Sequence, residues 1–231
     1  MTTNKISQFT IYHNNSDEYH KLKHEVFTSD LYYFETDNSN PFIIDAGAHI
    51  GLSTVYFKKN FPGANIIAIE PNPHNFKLLQ TNIFENQIGT TTLIQSALSD
   101  HSGYEKLFID QTDEQWFSTS SFHTGSWAGV QKTKDILVKT QLLEEFITQP
   151  VDFLKLDIEG AEQKVLIAAK KCMPLIKEMH VEFHTHPSQS LSKLVDFLEM
   201  THVIELFQGT KKVTIKKARG LIQIRAIKKR K

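Results

Sequence analysis

The sequence lacks several features that mark secreted and membrane proteins. It contains one cysteine in 231 residues, Cys172, so no disulfide can form within the chain and a reducing, cytoplasmic compartment is expected. No apolar run approaches the roughly 20 residues that a membrane-spanning helix requires. Residues 1–10 have no basic segment followed by an apolar one, so we expect no secretory leader. Cys172 stands near a predicted helix end, where we prefer a small core residue over a nucleophile.

The chain also lacks an overall excess of charge, with 26 basic and 26 acidic residues, but the two signs are unevenly distributed. The basic C-terminal strip, Lys211–Lys231, contains ten Lys or Arg residues and no acid. Such a strip can bind nucleic acid. Because it has no aromatic side chains on which bases would stack, we prefer an edge strand whose lysines discourage pairing with other chains, followed by a frayed tail.

No internal repeat, low-complexity block or Gly/Ser linker interrupts the chain, and its length and 40% hydrophobic content suit one domain. Short apolar runs alternate with helical patterns, which indicates βαβ units around a parallel sheet. Ser16 is expected to cap a first helix from Asp17 to about Phe27. Two last strands, Val203–Phe207 and Leu221–Ile227, are predicted to close one edge of a doubly wound sheet as an antiparallel hairpin.

The most informative segment is Phe42–Gly51, FIIDAGAHIG. An apolar strand, an acid, a glycine turn and a helix start follow one another there, and this arrangement binds a nucleoside-containing cofactor. Gly47 permits a sharp turn, and Gly51 lets the next helix begin close to a ligand. A second apolar strand ends in Glu70, about 20 residues past the glycines, where a carboxylate can bind both ribose hydroxyls.

The glycine spacing distinguishes between cofactors. A dinucleotide site needs G-x-G-x-x-G, and the middle glycine, which lets the backbone approach a pyrophosphate, is absent here. The pattern D-x-G-x-x-x-G suits a ligand with an adenosine and an amino acid but no phosphates, such as S-adenosylmethionine. Asp45 would then lie near its ammonium group, directly or through water. The alternatives are an ordinary βα turn that binds no nucleotide, and a nicotinamide or nucleotide-sugar enzyme.

A second set of carboxylates follows another predicted strand, in Phe153–Glu162, FLKLDIEGAE. Asp157 and Glu159 are expected in the same crevice as Gly47, because ligands of open α/β sheets bind at the carboxyl ends of the strands. They can position an acceptor hydroxyl, take its proton or hold a divalent cation. For Glu162 we prefer a helix-start charge.

A third set lies in VEFHTHP, at the end of the next strand. Glu182, His184 and His186 alternate, so they would share one face of a continuing strand. A hydrogen-bonding or general-base role for Glu182 or His184 is favoured over a metal site, because no further spaced ligand pair is present. His49, inside the glycine turn, is expected to contact the carboxylate of the cofactor or to face solvent.

Residues 110–135 have no clear period. Aromatic residues stand there among many Ser, Thr, Gly and His residues; they are Trp116, Phe117, Phe122 and Trp127. A loop of this length in a compact domain is usually functional or disordered, so we predict a substrate lid, with a surface loop pinned by its aromatic residues as the alternative.

The motifs occur in a specific order: IIDAGAHIG, AIEPNPHNFKLLQTNI, QSALSDHSG, FLKLDIEGAEQKVL and HVEFH. This order resembles the FkbM family of S-adenosylmethionine-dependent methyltransferases, over roughly Phe42 to Phe207. The resemblance implies the class I methyltransferase fold, a Rossmann-like α/β fold with a doubly wound, mostly parallel sheet of seven strands and the C-terminal antiparallel hairpin. It also implies a methyltransferase domain at residues 41–231 and an N-terminal helical extension at residues 1–40.

The resemblance further implies roles for individual residues. The cofactor would be lined by Asp45, Gly47, Gly51 and Glu70, and Ser96, Ala97 and Leu98 would pass the adenine ring. We add Ala48, His49 and Pro71, which adjoin these positions, as candidate cofactor-binding residues. Asp157 and Glu159 would lie near the transferred methyl group, and Glu182 and His184 complete the candidate catalytic residues. The T-L-D-D stretch of the family is replaced here by TQLLEE, Thr140–Glu145, so no role is carried over for its aspartates.

Members of the family often methylate a hydroxyl on a sugar, lipid or natural product, so we expect O-methylation of a small-molecule acceptor with S-adenosylmethionine as cofactor. One alternative is a cofactor-binding module of the same fold without turnover. Another is a nucleic-acid methyltransferase that uses the basic C-terminal strip, although no N-P-P-Y-like motif is present. No metal is expected, and the sequence leaves the acceptor and the oligomeric state open.

Overall fold

The computed structural model describes residues 1–28, 31–110, 120–122 and 133–230. The strands are β1 (Thr2–Ile6), β2 (Phe9–His13), β3 (Phe42–Ala46), β4 (Asn65–Ile69), β5 (Thr91–Ile94), β6 (Ala97–Ser99), β7 (Gly103–Asp110), β8 (Ser120–Ser121), β9 (Thr133–Leu142), β10 (Val151–Leu156), β11 (Ile176–Phe183), β12 (His202–Gln208), β13 (Lys211–Val213) and β14 (Ile222–Lys228). The helices are α1 (Ser16–Phe27), α2 (Leu52–Asn60), α3 (Pro73–Glu85), α4 (Glu162–Ala168) and α5 (Leu191–Leu198), with short 3₁₀ turns at Leu143–Phe146 and Met173–Leu175.

Five parallel strands form the centre of the main sheet, in the order β5, β4, β3, β10, β11. The chain passes outward from β3 to β4 and β5, and then returns to β10 on the other side of β3. The strand order therefore reverses between β3 and β10. Ligands of open α/β sheets bind outside the carboxyl ends of the strands at such a switch point, which directs attention to the residues that follow β3 and β10.

The remaining strands of the main sheet differ from the prediction. The described part of this sheet has eight strands rather than seven, because the lysine-rich segment Lys211–Val213 adds a strand at the edge, antiparallel to β12. The predicted hairpin partners β12 and β14 do pair in antiparallel fashion, but β14 lies inside the sheet, between β12 and β11. The strand order follows from backbone pairing, and the polar side chains of β13 do not predict a strand.

A second sheet, of order β6-β9-β7-β8, stands beside the main one. Its longest strand, β9, is followed directly by the 3₁₀ turn Leu143–Phe146. Most of the predicted lid, residues 110–135, lies outside the described residues. Of its described positions, Ser120 and Ser121 form β8 against β7, and Phe122 follows them.

The N-terminal segment is a β1–β2 hairpin followed by α1. The helix begins one residue earlier than predicted, since the side chain of Asn15, not Ser16, accepts the hydrogen bond from the Glu18 N–H. Asn82 of α3 holds the hairpin: its side chain bonds both backbone groups of Tyr12, and it also donates to the Ile50 carbonyl at 2.7 Å. The hairpin is thereby tied to the turn that follows β3.

Apolar side chains cover both faces of the main sheet. Ile44 and Leu154 belong to the buried cluster on one face, and Ile43 and Phe153 to the cluster on the other. Strands buried on both faces are characteristic of parallel sheets, and they hold the loops at their carboxyl ends in fixed positions. None of the helices in the described part of the chain is long and apolar enough to span a membrane.

Candidate active site

A cavity of about 230 Å³ opens at the carboxyl ends of β3, β4, β10 and β11. Many of the residues singled out in the sequence line it: Gly47, Ala48, His49, Glu70, Pro71, Ser96, Ala97, Leu98, Asp157, Glu159 and Glu182. Asp45, Gly51 and His184 are not part of its lining. The cofactor turn after β3 and the carboxylates after β10 and β11 therefore face one shared space.

Gly47 forms the sharp turn after β3. Its φ is +79°, and a Cβ at this position would lie 1.7 Å from the carbonyl oxygen of Asp157. The Gly47 and Ala48 N–H groups both donate to the Ile69 carbonyl at the end of β4, at 3.0 and 2.9 Å. Three neighbouring strand ends thus meet at this turn, and only glycine has room there.

Gly51 also has a steric role. It has a φ of +92° and caps α2, and a Cβ there would lie 2.7 Å from the Leu79 Cδ1 atom. Gly51 therefore leaves room for the Leu79 side chain of α3. The sequence does not reveal this role, because the partner is 28 residues away in the chain.

Asp45 is fully buried at the end of β3. Its carboxylate accepts hydrogen bonds from Ser53 Oγ at 2.8 Å and Thr54 Oγ1 at 2.6 Å, both at the start of α2. Lys155 Nζ lies 3.7 Å away. Since Ser53 lines the cavity and Asp45 does not, Asp45 is linked to the cavity through Ser53.

Glu70 has a fixed orientation at the end of β4. One carboxylate oxygen accepts from the His49 N–H and the other from the Asn72 N–H, each at 2.9 Å. Each carboxylate oxygen can accept a further hydrogen bond, and Glu70 lines the cavity. Burial raises the pKa of Glu70, while the His49 charge and the two backbone donors act in the opposite direction.

His49 is half-buried, with 15% of its side chain exposed, and its side chain turns toward α1. Nε2 lies 3.4 Å from the Glu18 carboxylate. Burial acts to lower the pKa of His49, but the contacts with Glu18 and the charge of Glu70 outweigh it, so the pKa is raised. The backbone of His49 thus orients Glu70 while its ring is paired with the N-terminal helix. Of the two expected surroundings of His49, open solvent is not what the structure shows.

Lys155 is a buried residue of the cavity that the sequence analysis missed. It lies on β10 with 4% of its side chain exposed, donates to the Gly47 carbonyl at 2.7 Å, and has Asp157 and Asp45 at 3.6 and 3.7 Å. Burial acts to lower its pKa, but the two aspartates raise it, so the lysine stays charged. It also stands 5.6 Å from the centre of the Tyr32 ring. The signal was a lysine inside the apolar run FLKL.

The carboxylates after β10 and β11 form an acidic cluster around His184. Its Nδ1 atom lies 2.9 Å from Glu162, and its Nε2 atom lies 3.2 Å from Glu159 and 3.9 Å from Glu182. Burial and the charge of Asp157 raise the pKa of Glu182 to about 8. Burial acts to lower the pKa of His184, but the hydrogen bond to Glu162 and the surrounding carboxylates raise it to about 10.

Glu162 is more than the helix-start charge that we preferred. It is fully buried and accepts hydrogen bonds from the Gly160 N–H at 2.9 Å and from Gln189 Nε2 at 2.8 Å, in addition to its contact with His184. His186 does not join the cluster; its Nδ1 atom contacts the Ser188 hydroxyl instead, at 2.8 Å. The alternation in VEFHTHP ends where β11 ends, at Phe183.

The N-terminal helix forms a wall of the cavity that the sequence did not reveal. Its inward face contributes Glu18, Lys21, Leu22, Glu25 and Val26. Burial, together with the charge of Asp157, raises the pKa of Glu25, although Lys21 acts against this shift. The sequence predicts this helix, but it does not indicate that the helix lies against the cavity.

The basic C-terminal strip is partly occupied by contacts within the chain. Arg225 pairs with Glu178 at 2.7 Å and Lys212 with Glu205 at 2.6 Å. Lys229 donates to the Glu199 carbonyl at 2.6 Å. Only part of the strip fits the predicted edge strand: Lys212 lies in the edge strand β13, whereas Arg225 lies in β14, inside the sheet.

Residues 45–209 match the model of the methyltransferase FkbM domain. The chain belongs to the FkbM methyltransferase family. Relatives of this FkbM-domain chain include "Methyltransferase sdnD" of Sordaria araneosa, which is 29% identical over 62% of the chain and 65% of its own length. The 31-O-demethyl-FK506 methyltransferase FkbM of Streptomyces tacrolimicus is 23% identical over 76% of the chain and 78% of its own length. The family predicted from the motif order is thus confirmed.

Solved structures show the same fold. A methyltransferase FkbM of Methylobacillus flagellatus KT superposes with a TM-score of 0.56 at 18% identity, over 86% of this chain and 46% of that one. M. jannaschii TYW2, solved in complex with AdoMet, superposes with a TM-score of 0.51 at 15% identity, over 97% and 84% of the two chains. The FkbM-domain chain therefore has the α/β fold of class I methyltransferases, although its main sheet is mixed. It spans less than two thirds of sdnD and of the M. flagellatus chain.

Proposed function

We propose that this FkbM-domain protein transfers a methyl group from S-adenosylmethionine to a hydroxyl of a small-molecule acceptor. The observation that carries the proposal is that the glycine turn with Glu70 and the carboxylates after β10 and β11 line one cavity. A donor held by the turn would present its methyl group to an acceptor held at the carboxylates. The name of the Streptomyces relative, which specifies a 31-O-demethyl compound, supports oxygen as the acceptor atom.

The cofactor would lie across the ends of β3, β4 and β5. Glu70 would accept hydrogen bonds from the two ribose hydroxyls, because its carboxylate is already fixed by two backbone donors. The adenine ring would lie against Ser96, Ala97 and Leu98, and the methionine part would follow Gly47 and Ala48. Ser53 lines the cavity and Asp45 does not, so Asp45 would interact with the ammonium group indirectly, through the Ser53 hydroxyl.

The reaction would be an in-line displacement. The acceptor oxygen forms a bond to the methyl carbon, the C–S bond breaks with its electron pair remaining on sulfur, and S-adenosylhomocysteine leaves. S-adenosylmethionine supplies the reactive methyl group, whereas the protein supplies alignment and exclusion of water. The carboxylates of the cavity would also favour the cationic donor electrostatically.

Asp157 is our candidate to receive the proton of the acceptor hydroxyl. Its side chain is 26% exposed and lines the cavity, and its Oδ2 atom lies 3.6 Å from Lys155 Nζ. A carboxylate within hydrogen-bond reach can orient the hydroxyl and take its proton as the new C–O bond forms. Glu182 and Glu159 lie in the same lining and complete the polar surface for the acceptor. A cytoplasmic location remains a prediction from the single cysteine.

Transfer of a labelled methyl group tests the proposal. The purified protein would be incubated with methyl-labelled S-adenosylmethionine and a panel of polyhydroxylated sugars and macrocyclic alcohols. Labelled ethers from at least one acceptor, with none from the matched deoxy compound, are expected. Tight binding of S-adenosylhomocysteine without transfer to any alcohol would instead favour the cofactor-binding module.

A further inference from the structure

Three side chains at the acceptor end of the cavity converge on one point. Asp157 follows β10, while Glu182 and His184 stand at the end of β11, and one ligand atom from each lies within 4.8 Å of the other two. Asp157 and Glu182 also line the cavity. Two carboxylate oxygens and one imidazole nitrogen at such separations need only small side-chain movements to share one ion.

The ring of His184 is oriented from behind. Its Nδ1 atom bonds to Glu162, whose carboxylate is fixed in turn by the Gly160 N–H and by Gln189. Nε2 is left facing the other carboxylates. A histidine that binds a metal ion almost always donates its other N–H to a carboxylate in this way, because the contact fixes both the tautomer and the ring.

Electrostatics around this point also favour a cation. The carboxylates that surround it or lie directly behind it are Asp45, Asp157, Glu159, Glu162 and Glu182. Lys155 forms ion pairs with two members of this set, Asp45 and Asp157, and His184 contacts Glu159, Glu162 and Glu182. A divalent ion would take the place of a proton at Nε2 of His184 and would become the largest positive charge of the cluster.

We propose that Asp157, Glu182 and Nε2 of His184 bind one divalent metal ion. The mixed oxygen and nitrogen donors suit a first-row ion such as Mn²⁺ better than Ca²⁺, which prefers oxygen ligands alone. The site replaces the expectation of no metal, which rested on the absence of a second ligand pair in the sequence. The structure adds one ligand to Glu182 and His184, namely Asp157, which follows the neighbouring strand β10.

A second group of ligand atoms in the described residues makes a useful contrast. Asp100, His101 and Glu105 also approach one another within 4.8 Å, but Lys164 Nζ lies 3.8 Å from Asp100 and 3.4 Å from Glu105. Asp100 is exposed, and none of Asp100, His101 and Glu105 lines the cavity. His101 is exposed, so its replacement provides a matched control for a histidine in a cluster that we do not expect to bind metal.

The consequence for catalysis rests on the proposed function, whereas binding of the ion does not. A cation at this point would contact the acceptor oxygen and lower the pKa of its hydroxyl, and the second oxygen of Asp157 would remain to take the proton. The ion would therefore define both the place and the protonation of the attacking group.

Mn²⁺ binding to the full chain tests the inference without any acceptor. After treatment with EDTA and desalting, the protein would be titrated with Mn²⁺ by calorimetry and studied by pulsed electron paramagnetic resonance. We expect one site per chain, with coupling of the Mn²⁺ electron spin to an imidazole nitrogen. His184→Gln should abolish this coupling and weaken binding by more than about tenfold, and Glu162→Gln, which removes the support behind His184, should weaken it by about 10–100-fold. His101→Gln should change neither.

Three results would overturn the inference: no stoichiometric binding, binding that is unchanged in folded His184→Gln protein, or binding without nitrogen coupling. The last would place the ion elsewhere. Circular dichroism of each variant would establish that it is folded, and Glu162→Gln leaves all three proposed ligands in place if His184→Gln does not fold. Methyl transfer that persists in EDTA alongside absent Mn²⁺ binding would remove the metal site and leave the proposed function intact.

Discussion

The carbonyl oxygen of Asp157 lies 1.7 Å from the point where a side chain at Gly47 would begin. The turn that follows β3 and the residue proposed to activate the acceptor are therefore in backbone contact. This contact sets the distance between the donor and acceptor ends of the cavity, because neither backbone can move away without disturbing a central strand. Gly47 is therefore needed for the close approach of the backbone after β10, independently of any cofactor.

Gly47→Ala should disrupt both folding and cofactor binding. The new methyl group would overlap the Asp157 backbone, and alanine is disfavoured at a φ of +79°. A cost of about 3 kcal/mol or more is expected, which corresponds to a fall in Tm of about 6–12 °C. Gly89→Ala is the matched control, since a Cβ there meets nothing within 4 Å. Thermal unfolding of both variants decides the matter, and an equal Tm for the two would contradict the role of this contact.

Glu70→Gln should weaken the binding of S-adenosylhomocysteine by about 10–100-fold, since hydrogen bonds to a charged group contribute about 1.5–3 kcal/mol. The amide has one acceptor atom in place of two, so it cannot serve the His49 and Asn72 N–H groups and the ribose together. Calorimetric titration measures the change. Glu85→Gln, at the exposed end of α3, should bind as the wild type does. Unchanged affinity in Glu70→Gln would remove the ribose assignment.

The Glu18–His49 pair should make stability depend on pH. The folded state raises the pKa of His49 above its ordinary value, so the pair stabilises the fold fully below that ordinary value. This contribution is lost as the pH rises through the raised pKa. The difference in unfolding free energy between the wild type and Glu18→Gln should therefore shrink with increasing pH. Denaturant unfolding across the neutral range measures it, and a difference that is constant with pH would show that Glu18 acts through packing alone.

Asp157→Asn should separate binding from turnover. Asparagine keeps the backbone contact with Gly47 but cannot take a proton, so we expect nearly unchanged affinity for S-adenosylhomocysteine and a fall in kcat of about 10²–10⁴-fold. Asp196→Asn, on the exposed face of α5, is the control for a surface carboxylate. Equal losses of affinity and turnover in Asp157→Asn would assign a structural role to the residue.

Local patterns predicted the parts of the site that lie next to one another in the chain. The turn FIIDAGAHIG is encoded within ten residues, and Glu70 follows at the spacing of about 20 residues that is typical of nucleoside-binding βαβ units. The family followed from the order of such segments, which does not depend on long-range contacts.

Contacts between distant segments explain what the sequence did not predict. Glu18 contacts His49 from a helix that begins 33 residues earlier, and Lys155 finds its aspartate partners on its own strand end and on a neighbouring strand. The steric role of Gly51 was not predicted, because its neighbour, Leu79, is on another helix. The periodicity of apolar residues predicts which side chains are buried, but it does not predict which distant residues they contact.

Titration of the protein with S-adenosylhomocysteine, in parallel with NAD, tests the central claim most directly. The geometry of Glu70 and the glycine turn predicts micromolar, one-to-one binding of S-adenosylhomocysteine, with no heat from NAD. Binding of NAD alone, or of neither compound, would contradict the assignment of this cavity to a methyl donor.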